Sequence, residues 1–88
     1  MKIKRISQEL NWQTKEDKLY KKFEFKTFNQ ALDFINQVGS VAEIMNHHPE
    51  IRNIYNKVEL YLSTHDESKV TDKDHSLAEK IDKIYDKF

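Results

Sequence analysis

Leu19, Lys21, Phe23 and Phe25 alternate with Tyr20, Lys22 and Glu24. That period of two sends successive side chains to opposite faces of a strand, and the aromatic weight marks it as half-buried. Upstream, Trp12 to Thr14 reads as a short strand, with Lys15-Glu16-Asp17 as the polar turn between them. The period then changes. Phe28, Ala31, Leu32, Ile35, Val38, Ala42 and Met45 recur at helical spacing, and Thr27 with Gln30 forms a capping-box pattern at the start. The helix is expected to run to about Asn46, because Pro49 lacks an amide hydrogen and holds His48 extended. Gly39, the only glycine, falls inside this helix and reads as a close-packing position. Ile51 to Tyr55 then reads as a strand and Asn56-Lys57 as a tight turn using the left-handed tolerance of asparagine. Val58, Leu60, Leu62 and Thr64 form one face of the next strand, which ends at His65 and Asp66. Thr71 with Asp74 repeats the helix-start signal with a shorter acidic arm, and Leu77, Ile81, Ile84, Tyr85 and Phe88 give the last helix its apolar stripe. The order is ββαββα after a short N-terminal segment, an α+β arrangement whose short connections favour antiparallel pairing.

Composition narrows the chemistry. At 88 residues the chain is read as a single domain, 1–88, with a modest core that association with further copies would help to stabilise. The absence of cysteine excludes disulfides, a thiolate nucleophile and thiolate metal ligands. Lys+Arg and Asp+Glu each number 15 and are interspersed, which argues against direct binding of nucleic acid through a basic face. No stretch reaches the roughly 20 apolar residues of a membrane span, so the chain is read as soluble and cytoplasmic, without a membrane partner.

The run Asn46-His47-His48-Pro49 sits where the helical pattern stops, and a further histidine, His65, follows one hairpin later. Imidazoles exchange protons near neutral pH, so three that converge on one cleft suit acid/base chemistry. No His-x-x-x-His pair shares a helical face, which weighs against a zinc site. No metal is expected. His75 reads as a cap or surface residue, and the Phe23, Phe25, Phe28 and Phe34 cluster as core.

Read outward, the spacing is Glu43, His47-His48-Pro49, Tyr55, His65, Asp74. This pattern resembles the signature of the pterin-4a-carbinolamine dehydratases. Phe23-Glu24-Phe25-Lys26 with Phe28, Ala31 and Phe34, the hairpin Tyr55-Asn56-Lys57-Val58, the run Thr64-His65-Asp66, and Trp12 agree with it. Ile51 stands where the family often has tryptophan, Lys73 where it often has arginine, and the loop Glu67-Ser68-Lys69-Val70 lacks the usual glycines.

The resemblance implies a four-stranded antiparallel sheet with helices packed on one face. It also implies dehydration of 4a-hydroxytetrahydropterin to quinonoid dihydropterin, with the pterin as substrate and no separate cofactor. His47 and His65 become candidate acid/base groups and His48 a substrate-binding partner. Glu43, Pro49, Tyr55, Lys73 and Asp74 become supporting residues. Glu43, one helical turn before His47, is expected to hold that ring, and Asp74 either orients a histidine or caps the last helix. A homodimer or homotetramer is expected. The alternative is a non-enzymatic protein-binding module, since some members of the family serve as dimerisation cofactors.

Overall fold

Two hairpins build the sheet. The computed structural model describes residues 11–64, 67 and 69–88, in the order β1 (Gln13–Lys15), β2 (Lys18–Glu24), α1 (Phe28–Met45), β3 (Glu50–Ile54), β4 (Lys57–Leu62) and α2 (Asp72–Tyr85). The N-terminal segment, His65, Asp66 and Ser68 lie outside the described residues. Among those residues the sheet is four-stranded, ordered β1-β2-β4-β3, and every neighbouring pair is antiparallel. The α+β order expected from the periodicity is the order observed.

Each hairpin turns through two residues. Glu16 and Asp17 both take positive φ, 56° and 63°, which matches the twist a tight hairpin needs. The second turn differs from expectation. Its loop is Tyr55-Asn56, and Tyr55 rather than the asparagine takes the left-handed backbone, with φ of 52°. Asn56 is occupied elsewhere. Its backbone carbonyl accepts from the Phe25 amide at 2.9 Å and its side chain donates to the Phe25 carbonyl at 2.6 Å, extending β2 past its end.

Leu19, Lys21 and Phe23 of β2 and Val58, Leu60 and Leu62 of β4 point to the helix-covered face. There they meet Ala31, Phe34 and Val38 of α1 and Leu77, Ala78, Ile81, Ile84 and Tyr85 of α2 in one cluster. Phe23 is its centre, with ring centroids 4.9 Å from both Phe34 and Tyr85. Lys21 is the exception on this face. Buried among apolar side chains, its Nζ reaches Asp82 of α2 at 2.9 Å, and the Trp12 indole donates to the same carboxylate at 3.2 Å. A buried ammonium needs such a partner.

The caps of the two helices exchange the ranking their sequences suggest. At α1, Thr27 accepts from the Gln30 amide at 3.1 Å, but the Gln30 side chain reaches past the cap to the Lys26 amide. At α2, Thr71 and Asp74 close a full reciprocal capping box. The end of α1 is set by Asn46, in the left-handed conformation with φ 52° and ψ 44°, before Pro49 is reached. The His47 amide then donates back to the Ala42 carbonyl at 3.0 Å, the closing bond of a Schellman-type end.

Gly39 is not a close-packing position, because a Cβ built there meets nothing within 4 Å. It therefore costs helix propensity without a compensating contact. Gly39→Ala is expected to stabilise the protein by about 0.5–1 kcal/mol, read as a rise in the urea midpoint at constant slope. A lower midpoint would mean that the site is covered in the assembled protein.

Candidate active site

His47 is fixed first through its backbone. The left-handed turn at Asn46 and the bond from the His47 amide to Ala42 swing the ring off the helix and toward the start of α2. There Nε2 lies 2.6 Å from Oδ1 of Asp74. The His47 side chain is 10% exposed and the Asp74 side chain 0%. Asp74 is the third residue of α2, and its other oxygen, Oδ2, accepts from the Thr71 amide and from the Thr64 hydroxyl, each at 2.9 Å. The two roles the sequence left open for Asp74 are both filled, one by each oxygen.

This arrangement fixes proton positions. Oδ2 already accepts two hydrogens, and the oxygens of a carboxylate can only accept, so with Asp74 in that form the hydrogen in the contact belongs to Nε2 and is donated to Oδ1. In the neutral ring Nδ1 is then the bare nitrogen, free to accept a proton. A buried carboxylate holding one histidine nitrogen is the arrangement that orients a general acid/base.

His48 has a different setting. Glu43 was expected on the face of His47, but its carboxylate meets His48 Nε2, at 2.7 Å, with both side chains more than half exposed. The reason is the left-handed turn at Asn46: His47 lies past the helix end, so the one-turn relation to Glu43 does not hold. Half-buried Pro49 leads directly into β3. Tyr55 is not brought to the histidines. It lies exposed in the β3–β4 turn, roughly 17 Å along the strand from Glu50 at the usual rise per residue. Lys73 is exposed in the first turn of α2, beside Asp74 in sequence. His75 is exposed as expected. His65, the third expected imidazole, lies outside the described residues.

Thr64 and Thr71 join the site without having been singled out as site residues. Thr64 is buried and its hydroxyl contacts the Thr71 hydroxyl as well as Asp74. The available signal was a polar residue closing the otherwise apolar face Val58, Leu60, Leu62. Among the described residues no three histidine, aspartate or glutamate side chains converge as a metal-ligating group.

The opposite face of the sheet has other chemistry. Tyr20 and Tyr61 are shielded there by Lys15, Lys18 and Arg52, and the Tyr20 hydroxyl donates to Glu59 at 2.6 Å. A cavity of about 200 Å³ beside them is lined by Lys22, Arg52, Ile54, Lys57 and Glu59. Arg52 is engaged by Glu50 at 3.0 Å, and its guanidinium holds that carboxyl below the usual range. This cavity is on the far side of the sheet from Asp74 and holds no histidine. We place the candidate chemistry at His47 because a buried ring held against a buried carboxylate is found there.

Comparison with known proteins identifies the family. The family model described as pterin 4 alpha carbinolamine dehydratase matches residues 1–84. A protein of Sulfolobus acidocaldarius, provisionally named pterin-4-alpha-carbinolamine dehydratase, is 42% identical over 81 residues, covering 92% of this chain and 89% of its own length. One from Sulfurisphaera tokodaii with the same provisional name is 44% identical over 85 residues, covering 92% and 91%. The crystal structure of a transcriptional coactivator/pterin dehydratase from Brucella melitensis superposes with a TM-score of 0.83 at 37% identity, covering 86% of this chain and 83% of that one. A pterin dehydratase-like RuBisCO assembly factor of the alpha-carboxysome shares the fold, with a TM-score of 0.72 at 22% identity. The chain belongs to the pterin-4α-carbinolamine dehydratase family.

Proposed function

We propose that this protein dehydrates a 4a-hydroxytetrahydropterin to the quinonoid dihydropterin by histidine acid/base catalysis without a metal. The observation that carries the reading is the buried Asp74–His47 pair, supported by membership of the dehydratase family. The reaction breaks the C4a–O bond, forms a C4a=N5 double bond, and releases water. One proton must reach the departing hydroxyl and one must leave N5, with no net change of oxidation state. His47 and His65 are the acid/base groups, and His48, held by Glu43 at the exposed rim, contacts the pterin. Lys73 and Pro49 support the rim. The site needs only small proton movements, which suits an imidazole whose other nitrogen is fixed.

A second reading is favoured by the Brucella melitensis protein, which is described as a transcriptional coactivator as well as a pterin dehydratase. On that reading this chain acts through protein contacts. The two readings separate in one assay, because a module would bind and assemble without dehydrating the carbinolamine.

The assembly is a homodimer or homotetramer. β3 is an exposed edge strand, and Ile51, Ile54 and Tyr55 on or beside it are uncovered, as are Phe28 and Leu32 of α1, which lie outside the core that their spacing suggested. Open edges and apolar surface of this kind favour pairing with another copy. Sedimentation at micromolar concentration is expected to give a species larger than the 10.6 kDa monomer; a single monomer boundary would contradict it.

For catalysis, His47→Ala is expected to lower turnover of a synthetic 4a-hydroxytetrahydropterin about a hundredfold or more, the scale of a lost general acid or base. Wild-type turnover should survive exhaustive chelation. If the variant keeps full turnover, the acid/base role moves to His65 or to water. Activity lost to chelator and restored by zinc would make the histidines metal ligands and end the metal-free reading.

A further inference from the structure

The hydrogen-bond network behind His47 contains more partners than a simple histidine–carboxylate pair requires. Asp74 is fully buried, and both of its oxygens are engaged. Each neighbouring hydroxyl has only one hydrogen to give, and this settles the direction of every bond. Oδ2 of the carboxylate can only accept, so Thr64 spends its hydrogen on Asp74. The contact between the Thr64 and Thr71 hydroxyls must then be a donation from Thr71 to Thr64. Thr71 Oγ1 meanwhile accepts from the Lys73 amide at 3.3 Å. No hydroxyl in the set can reverse without leaving a buried lone pair or hydrogen unmatched, and no buried side-chain polar atom among the described residues lacks a partner.

We propose that Thr64 is a positioning residue for His47, acting through Asp74. The Thr64 hydroxyl anchors Oδ2, which fixes the rotation of the carboxylate so that Oδ1 faces the His47 ring. That in turn holds His47 with its hydrogen on Nε2 and leaves Nδ1 as the atom that takes or gives the proton. The Thr71 amide alone does not fix the carboxylate equally well, because a single bond to one oxygen permits rotation about the Cβ–Cγ axis. Two donors arriving from different segments, the end of β4 and the start of α2, remove that freedom. The role of Thr64 in catalysis rests on the dehydratase reading, whereas its role in holding the His47 ring does not.

Thr64→Val removes the hydroxyl while keeping the shape, and Thr64→Ser keeps the hydroxyl. For Thr64→Val, kcat is expected to fall about tenfold or more, the scale for slight misplacement of a reacting group. KM should stay within about twofold, since ground-state binding is not what is lost. Thr64→Ser should restore kcat. The second readout is independent of turnover. In ¹⁵N-histidine-labelled protein, with His47 assigned by its absence from His47→Ala, the wild type should show a water-protected proton on Nε2 and a bare Nδ1. In Thr64→Val the Nε2 proton should be lost to exchange, and in Thr64→Ser it should return.

A bare Nε2 in the wild type overturns the proposal, and does so even if Thr64→Val fails to fold. A protected Nε2 proton that persists in folded Thr64→Val also overturns it, as does a loss of kcat that serine does not restore. If the wild type has no dehydratase activity but its Nε2 proton depends on the Thr64 hydroxyl, the enzymatic reading fails and the positioning of His47 stands.

Discussion

A carboxylate with no exposure to water is costly unless donors replace the lost hydration. Asp74 finds them in three segments that are far apart in the chain: Thr64 after β4, the Thr71 amide at the start of α2, and His47 after α1. The first turn of a helix also favours negative charge, because its unpaired amides carry the positive end of the helix dipole. The same group therefore starts α2, ties the end of β4 to it, and holds the ring of His47. Structure and candidate chemistry cannot be separated at this residue. Replacing it would disturb the helix cap and the histidine together.

The remainder of the fold serves to bring those segments to one place. Phe23, Phe34 and Tyr85 interlock at the centre of the core, and Tyr85 also donates through its hydroxyl to the Glu24 carbonyl at 2.9 Å. That bond fastens the end of α2 to the end of β2. Lys21 and Trp12 meet Asp82 along the same helix, so α2 is attached to the sheet at several points. With α2 fixed in this way, the position of Asp74 at its start is fixed too. Precision at the His47 contact thus depends on aromatic packing some distance away.

The two adjacent histidines of the site are held unequally. His47 is nearly enclosed and bonded to a carboxylate without solvent access, whereas His48 and Glu43 form a solvent-exposed pair. Exposed pairs are weak and screened by salt, and their side chains reorient freely. A fixed group suits proton transfer, which is sensitive to small displacements, and a mobile rim group suits accommodation of a substrate. The doubled histidine before Pro49 thereby places two rings in two different settings, distinguished by the direction the chain takes at Asn46.

Local patterns in the sequence were enough to determine the elements. The alternation through β2 and β4, the helical stripe of α1 and the Thr71–Asp74 cap each depend on residues within one or two turns of each other, where backbone geometry dictates who faces whom. The spacing of Glu43, His47-His48-Pro49, His65 and Asp74 likewise carried the family. Pairing across the fold was not legible. Asp74 and His47 are 27 positions apart, and only the packing of α2 against α1 and the sheet brings them within 2.6 Å. Glu43 passed from His47 to His48 because a left-handed Asn46 turns the chain where the helix ends, and the hairpin turn shifted by one residue because Asn56 is bonded to Phe25. Thr64 read only as the end of a strand face, since the value of its hydroxyl depends on a carboxylate that tertiary structure alone delivers. The sequence by itself determined which elements form and which family the chain belongs to; the tertiary structure decided the hydrogen-bond partners, because a hydrogen bond requires contact at about 3 Å and contact between distant segments is a property of packing.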